Sequence, residues 1–135
     1  MGKINRKSEL REAVFLLLFR ADFYGPEDLK EQIRDFFEDE DAFSDEERLY
    51  IAEKTLNIAA KADEIDAALE TVSVGWKPKR MTKVDLTILR LAYYEIKFIE
   101  DVSASTAINE AVELAKSYGT ENSPSFVNGI LAKFA

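Results

Sequence analysis

The 135-residue chain contains no cysteine and no histidine. Without cysteine there is no disulfide, no zinc–thiolate site and no thiol nucleophile. Without histidine the commonest general base and transition-metal ligand is missing, and a Ser-His-Asp arrangement is impossible. Three prolines and five isolated glycines leave room for long uninterrupted elements but for no G-x-G phosphate loop. The formal charge is −8, an unfavourable balance for holding a polyanion, so nucleic-acid binding requires a local basic patch. Long apolar runs are also missing. Residues 13–19 form a run of seven that ends at Arg20, against the about 20 a bilayer span needs. No small-residue cleavage site follows it, so it is no signal-peptide core. A buried helix face in a soluble, cytoplasmic protein is the simplest expectation.

What is present is helical pattern. Hydrophobic residues make up 47% and charged residues 33%, a globular mixture. Leu10, Val14, Leu17, Leu18 and Ala21 recur at steps of three and four, predicting a first helix from about Ser8. Gly25 ends it, and Pro26 opens a second helix carrying Leu29, Ile33, Phe36 and Phe37 inward. Ser44 and Glu47 form a capping box before one long helix to about Val72, with Leu49, Ala52, Leu56, Ala59, Ala62, Ile65 and Leu69 on its buried face. Val74, Gly75, Trp76 and Pro78 break the pattern, and the division between two halves, 1–75 and 76–135, is expected there. Thr82 with Asp85 is a second capping box, opening a helix to about Ile99 that is apolar nearly all round and hence central. A further helix spans about 104–118 with Ile108, Ala111, Val112 and Ala115 inward and stops at Gly119. Ser123 caps a last helix carrying Phe126, Val127, Ile130, Leu131 and Phe134. No alternating run predicts a strand. The expected fold is all-α: two packed helical bundles of six to seven helices.

Charge is unevenly divided. Residues 1–75 carry a net −9 and residues 76–135 a net +1. Two basic clusters stand out. Lys3, Arg6, Lys7 and Arg11 face only Glu9 at the N-terminus, and Lys77, Lys79, Arg80 and Lys83 have no acid among them. The acidic stretch from Asp35 to Glu47 does not make a calcium loop: counted from Asp39, position six is Ser44 rather than Gly and position twelve is Tyr50 rather than Glu. Glu110 and Glu113 have the spacing of a carboxylate metal box, but its partner histidine is absent. Neither a catalytic constellation nor a cofactor site is apparent, so a binding protein is expected rather than an enzyme.

The second half carries a resemblance. Lys83-Val84-Asp85, Ile88 to Ala92, Tyr94-Glu95, Asp101-Val102, the run Ala107 to Lys116 containing Ile-Asn-Glu-Ala, Tyr118-Gly119, Ser123 and Phe126 to Leu131 containing Phe-Val-Asn-Gly follow in order. In these residues the chain resembles the NusB family of bacterial transcription antitermination factors. The first half is similar more loosely, through Arg11-Glu12 before an apolar helix and a three-helix layout. The resemblance implies two helical bundles packed across one another. It also implies a partner, the small-subunit ribosomal protein that doubles as NusE; an RNA, the boxA element of ribosomal RNA operon leaders; and a place in the antitermination complex on RNA polymerase.

The resemblance assigns RNA contact to the basic segment before the first helix, here Lys3, Arg6, Lys7 and Arg11. It is thinner than the family pattern, with Ser8 and Glu9 where cations are usual. Ser105 stands where many members have lysine, and Asn122 where an acid is common. A neutral amide at 122 lessens repulsion of a phosphate, so Asn122 and Ser123 are candidate RNA residues as well. The expected partner residues are Phe19, Lys83, Asp85, Arg90 and Phe126, with capping alone as the plainer role of Asp85 and an ion pair with Glu95 as that of Arg90. Asn109 and Asn128 are read as structural amides bridging helices. The cluster at Lys77, Lys79, Arg80 and Lys83 either extends the RNA surface or is balanced by acids of the first half. Two other readings stay open: a protein-only adaptor with little RNA affinity, and a helical module like that fused to ribosomal RNA methyltransferases, which at this length lacks any cofactor region. A homodimer is conceivable, since Phe15, Phe19, Phe23 and Tyr24 offer more aromatic area than one helix face needs.

Overall fold

The three-and-four spacing of the first apolar residues does form a helix, α1 (Arg6–Tyr24), which buries Arg11, Ala13, Val14, Phe15, Leu17 and Leu18. The structure is a computed structural model that describes residues 6–38, 42–73, 75, 77–99 and 101–135. Gly25 stops α1 by taking φ 95°, a conformation that favours glycine, while its N–H still reaches the Ala21 carbonyl at 2.9 Å. A 3-10 turn (Pro26–Asp28) precedes α2 (Leu29–Glu38), so Pro26 opens the turn rather than the helix proper. Leu29, Ile33 and Phe37 are the buried stripe of α2; Phe36 is half-buried, with the Arg20 guanidinium 5.3 Å from its ring centre.

α3 (Asp45–Ala60) starts at the expected capping box, and both halves of it are made: Glu47 N–H to Ser44 Oγ at 3.1 Å and Ser44 N–H to Glu47 Oε1 at 2.9 Å. Its inner face is not the expected one. Ile51, Lys54, Thr55 and Ile58 are buried, whereas Leu49 is 60% exposed and Ala52, Leu56 and Ala59 are half-buried. The long helix is also interrupted. Lys61 lies in a turn, and α4 (Ala62–Val72) begins after it without a side-chain cap. Ala59, Ala60, Lys61 and Ala62 are all good helix formers, so tertiary packing overrides local preference there.

Contacts divide the chain into two units, Met1–Ala60 and Lys61–Ala135. In the first, α1 packs on α2 and α3. In the second, α5 (Lys83–Phe98) packs on α4, α6 (Ala104–Tyr118) and α7 (Ser123–Leu131). The division expected from the sequence lies after Gly75. Here α4 groups with the second unit, because it contacts α5, and Arg90 of α5 forks onto Asp66 of α4.

α5 buries nine residues, Asp85 and Glu95 among them, which agrees with its apolar circumference. Its N-cap Thr82 Oγ1 accepts from the Asp85 N–H at 3.1 Å. The reciprocal half of that box is not made; Asp85 Oδ1 is buried without a hydrogen-bond partner. Ser103 caps α6 by accepting from the Thr106 N–H at 3.0 Å. Ala107, Ile108, Ala111, Leu114 and Ala115 of α6 are buried, and Val112 is only half-buried.

Candidate nucleic-acid interface

The first two turns of α1 carry three of the expected cations, Arg6, Lys7 and Arg11, and their surroundings differ. Arg6 is only partly exposed and is tied to several groups. Its Nε donates to Glu47 Oε2 at 2.7 Å and one terminal nitrogen to Glu9 Oε1 at 2.7 Å. The other terminal nitrogen donates to Glu47 Oε1 and to the Ala42 carbonyl, and the guanidinium lies 5.1 Å from the Phe43 ring centre. The bonds from Arg6, then that from the Ser44 N–H, pull the Glu47 carboxyl from 4.5 down to about 2, and Glu47 with Glu9 raises the Arg6 guanidinium further above its ordinary range. The Ser44–Glu47 capping box thus also anchors the start of α1. Arg11 is 7% exposed. Lys7 is exposed and has no ion-pair partner among the described residues. Lys3 lies outside the described residues.

The other expected RNA residues belong to the turn between α6 and α7 in the second unit. Asn122 is exposed at the N-terminal end of α7; its side chain makes no capping bond. Ser123 is 2% exposed and does not cap α7 as expected. As the first residue of that helix, it turns its Oγ back to accept from the Thr120 N–H at 3.0 Å. This closure requires Gly119 for space rather than for φ, which is −95°. A Cβ there would lie 2.5 Å from Ser123 Cβ, closer still to its Oγ, and 2.9 Å from the Ala115 carbonyl. Ser123 therefore shapes the turn, which leaves Thr120, Glu121 and Asn122 exposed.

The second basic cluster forms a 3-10 turn (Pro78–Arg80) entering α5. Pro78 and Met81 are buried and pin it; Lys79 and Arg80 are exposed with no ion pair among the described residues. Lys77 meets Glu70 at 3.5 Å, both side chains more than half exposed. Lys83 is exposed at the start of α5.

Among the expected partner residues, Phe19 is half-buried between Phe15, stacked at 6.0 Å, and Phe23, edge-on at 5.0 Å. With Arg20, Phe23, Gln32 and the carboxylates of Asp28, Glu31 and Asp35 it lines a groove of about 650 Å³ in the first unit. Phe23 is 58% exposed in it. Asp85 is 8% exposed, and Phe126 is half-buried on α7. Arg90 uses its fork inside the chain: Nε to Asp66 Oδ1 at 2.8 Å and a terminal nitrogen to Oδ2 at 2.7 Å. Asp66 went unnoticed in the sequence, where nothing links positions 24 apart. Lys54, buried with its Nζ 3.2 Å from the Tyr50 hydroxyl, was legible in principle, since it is three residues after Ile51 and four before Ile58. Asn109 and Asn128 are not buried bridges; both are exposed and line a groove of about 580 Å³ with Glu110, Glu113, Lys116 and Ser125. Among the described residues no helix is long and apolar enough to cross a membrane.

Three comparisons bear on this arrangement. The model of the NusB family matches residues 8–135. Transcription antitermination protein NusB of Agathobacter rectalis is 50% identical over 129 residues, covering 96% of this chain and 98% of that protein. Among solved structures, T. maritima NusB superposes with a TM-score of 0.89 at 34% identity, over 97% of this chain and 91% of the other. A NusB solved with NusE in complex with dsRNA superposes with a TM-score of 0.83 at 25% identity, over 95% of this chain and 94% of the other.

Proposed function

The chain belongs to the NusB family, and from that premise we propose that it is a transcription antitermination factor that binds boxA-type RNA of ribosomal RNA operon leaders as a heterodimer with NusE. In this reading it joins the antitermination complex on RNA polymerase in the cytoplasm and performs no catalysis. The observation that carries the reading is its likeness, over nearly the whole chain, to a NusB whose structure contains both NusE and double-stranded RNA.

The proposed RNA residues divide by role. Lys7 and Lys3 contact phosphates. Arg6 sets the start of α1 by its grip on Glu47, and Arg11, largely buried, adds little charge to the surface. Asn122 offers a neutral amide from a turn that Ser123 and Gly119 hold closed. The proposed NusE contacts are Phe19, Lys83, Asp85 and Phe126, with Arg90 positioning α5 through Asp66. Asp85 Oδ1, buried and unpartnered, suits a donor brought by a partner.

The protein-only adaptor is favoured by one observation, the occupation of Arg6 by two carboxylates. Fluorescence anisotropy with labelled boxA-type and scrambled single-stranded RNA, using NusE alone and NusE with this chain, separates the readings. Selective, tighter binding by the pair is expected; no gain over NusE alone overturns the RNA role and leaves the adaptor. Gel filtration of the chain alone addresses a homodimer.

A further inference from the structure

We propose that the basic turn at residues 77–80 is a second phosphate-binding surface for RNA on this chain, an inference that rests on the RNA reading above. The N-terminal segment offers less positive charge than its composition suggests. Arg6 is hydrogen-bonded to Glu9, Glu47 and the Ala42 carbonyl, and Arg11 is 7% exposed. The turn differs. Lys79 and Arg80 are exposed with no ion pair among the described residues, and Lys77 has only a loose contact with Glu70.

The turn is also held in shape, so its cations are presented on a fixed frame. Pro78 and Met81 are buried beneath it, the Arg80 N–H donates to the Lys77 carbonyl at 2.8 Å, and the Met81 N–H donates to the Pro78 carbonyl at 3.1 Å. The turn leads into the N-terminus of α5, whose dipole disfavours nearby cations and favours a bound anion. A guanidinium and an ammonium side by side suit successive backbone phosphates, and such contacts confer affinity without base selectivity. RNA is the favoured occupant over a protein because the patch is cationic and has no exposed large apolar side chain among its described residues.

The test uses the full chain with NusE and labelled boxA-type single-stranded RNA at 50 and 200 mM salt, comparing wild type with Lys79→Ala/Arg80→Ala. Removing two phosphate contacts makes the slope of log K against log salt shallower by about 1.4 and costs about tenfold in affinity at the lower salt. NusE binding stays unchanged, and Lys79→Arg/Arg80→Lys, which keeps both charges, binds RNA as wild type does; Lys79→Gln/Arg80→Gln, which keeps long polar side chains without charge, loses affinity and slope as the alanine variant does, and its wild-type binding overturns the proposal if the alanine variant folds poorly. Wild-type affinity and slope in the alanine variant overturn the proposal alone. Loss of NusE binding with RNA binding intact also overturns it and makes the turn a protein surface. Failure of the wild-type pair to bind RNA better than NusE alone overturns the RNA reading and this proposal with it.

Discussion

Replacing Gly119 by alanine tests how the turn between α6 and α7 is built. The added Cβ would meet Ser123 Cβ at 2.5 Å, its Oγ closer still, and the Ala115 carbonyl at 2.9 Å. Ordinary contact begins near about 3.4 Å, so the turn must open by about 1 Å. Opening it breaks the Thr120 N–H to Ser123 Oγ bond and leaves a buried hydroxyl unsatisfied, a loss of about 1–2 kcal/mol. Overpacking against the Ala115 carbonyl, which belongs to α6 and cannot swing away, adds about 1–2 kcal/mol. The expected total is about 3 kcal/mol, or about 10 °C in Tm for a chain of this length. Thermal and urea denaturation of Gly119→Ala, Ser123→Gly and the double variant read it. Ser123→Gly removes both side-chain contacts, so Gly119→Ala costs less in that background than in wild type, though not zero. A Tm for Gly119→Ala within about 2 °C of wild type, or strictly additive losses, would refute the steric account.

Three further outcomes are expected. Asp66→Asn leaves the half-buried Arg90 fork without its counter-charge and lowers stability by about 1–2 kcal/mol in urea denaturation, and Arg90→Lys does not restore it because an ammonium cannot bond both oxygens; unchanged midpoints would show the pair to be idle. Ile51→Ala costs about 2–4 kcal/mol while Leu49→Ala stays within about 0.5 kcal/mol, and the reverse order would mean that α3 is rotated from the face described. Glu47, held at about 2 against an ordinary 4.5, contributes stability that is present above pH 4.5 and lost as pH falls towards 2, so Glu47→Gln flattens the stability profile in that window and an unaltered profile contradicts the Arg6 anchor.

Periodicity made most of the helices legible because their buried stripes are built from large apolar residues. The limits of α5 and α6 agree with the expected spans because Thr82 and Ser103 cap them and Gly119 ends α6. It misled on α3, where leucine and alanine at 49, 52, 56 and 59 have the right spacing but the adjacent stripe of Ile51, Lys54, Thr55 and Ile58 is the buried one. There a lysine and a threonine occupy inner positions, and hydrophobicity alone ranks the wrong face first. The break at Lys61 has no local signal, since every neighbouring residue favours helix. The basic candidate residues are legible as charge, not as geometry, and Asn122 and Ser123 only through the family resemblance. Nothing local to Arg6 announces Glu47, 41 positions away, and nothing distinguishes the held Arg6 from the unpaired Lys7 beside it.

A chain of net −8 must gather its few cations on one side to contribute to an RNA interface. The most direct measurement is the salt dependence of boxA-type RNA binding by NusE with and without this chain. If this chain supplies three or four phosphate contacts, its presence steepens the slope of log K against log salt by about 2 to 3. An identical slope in its presence and absence would contradict the account.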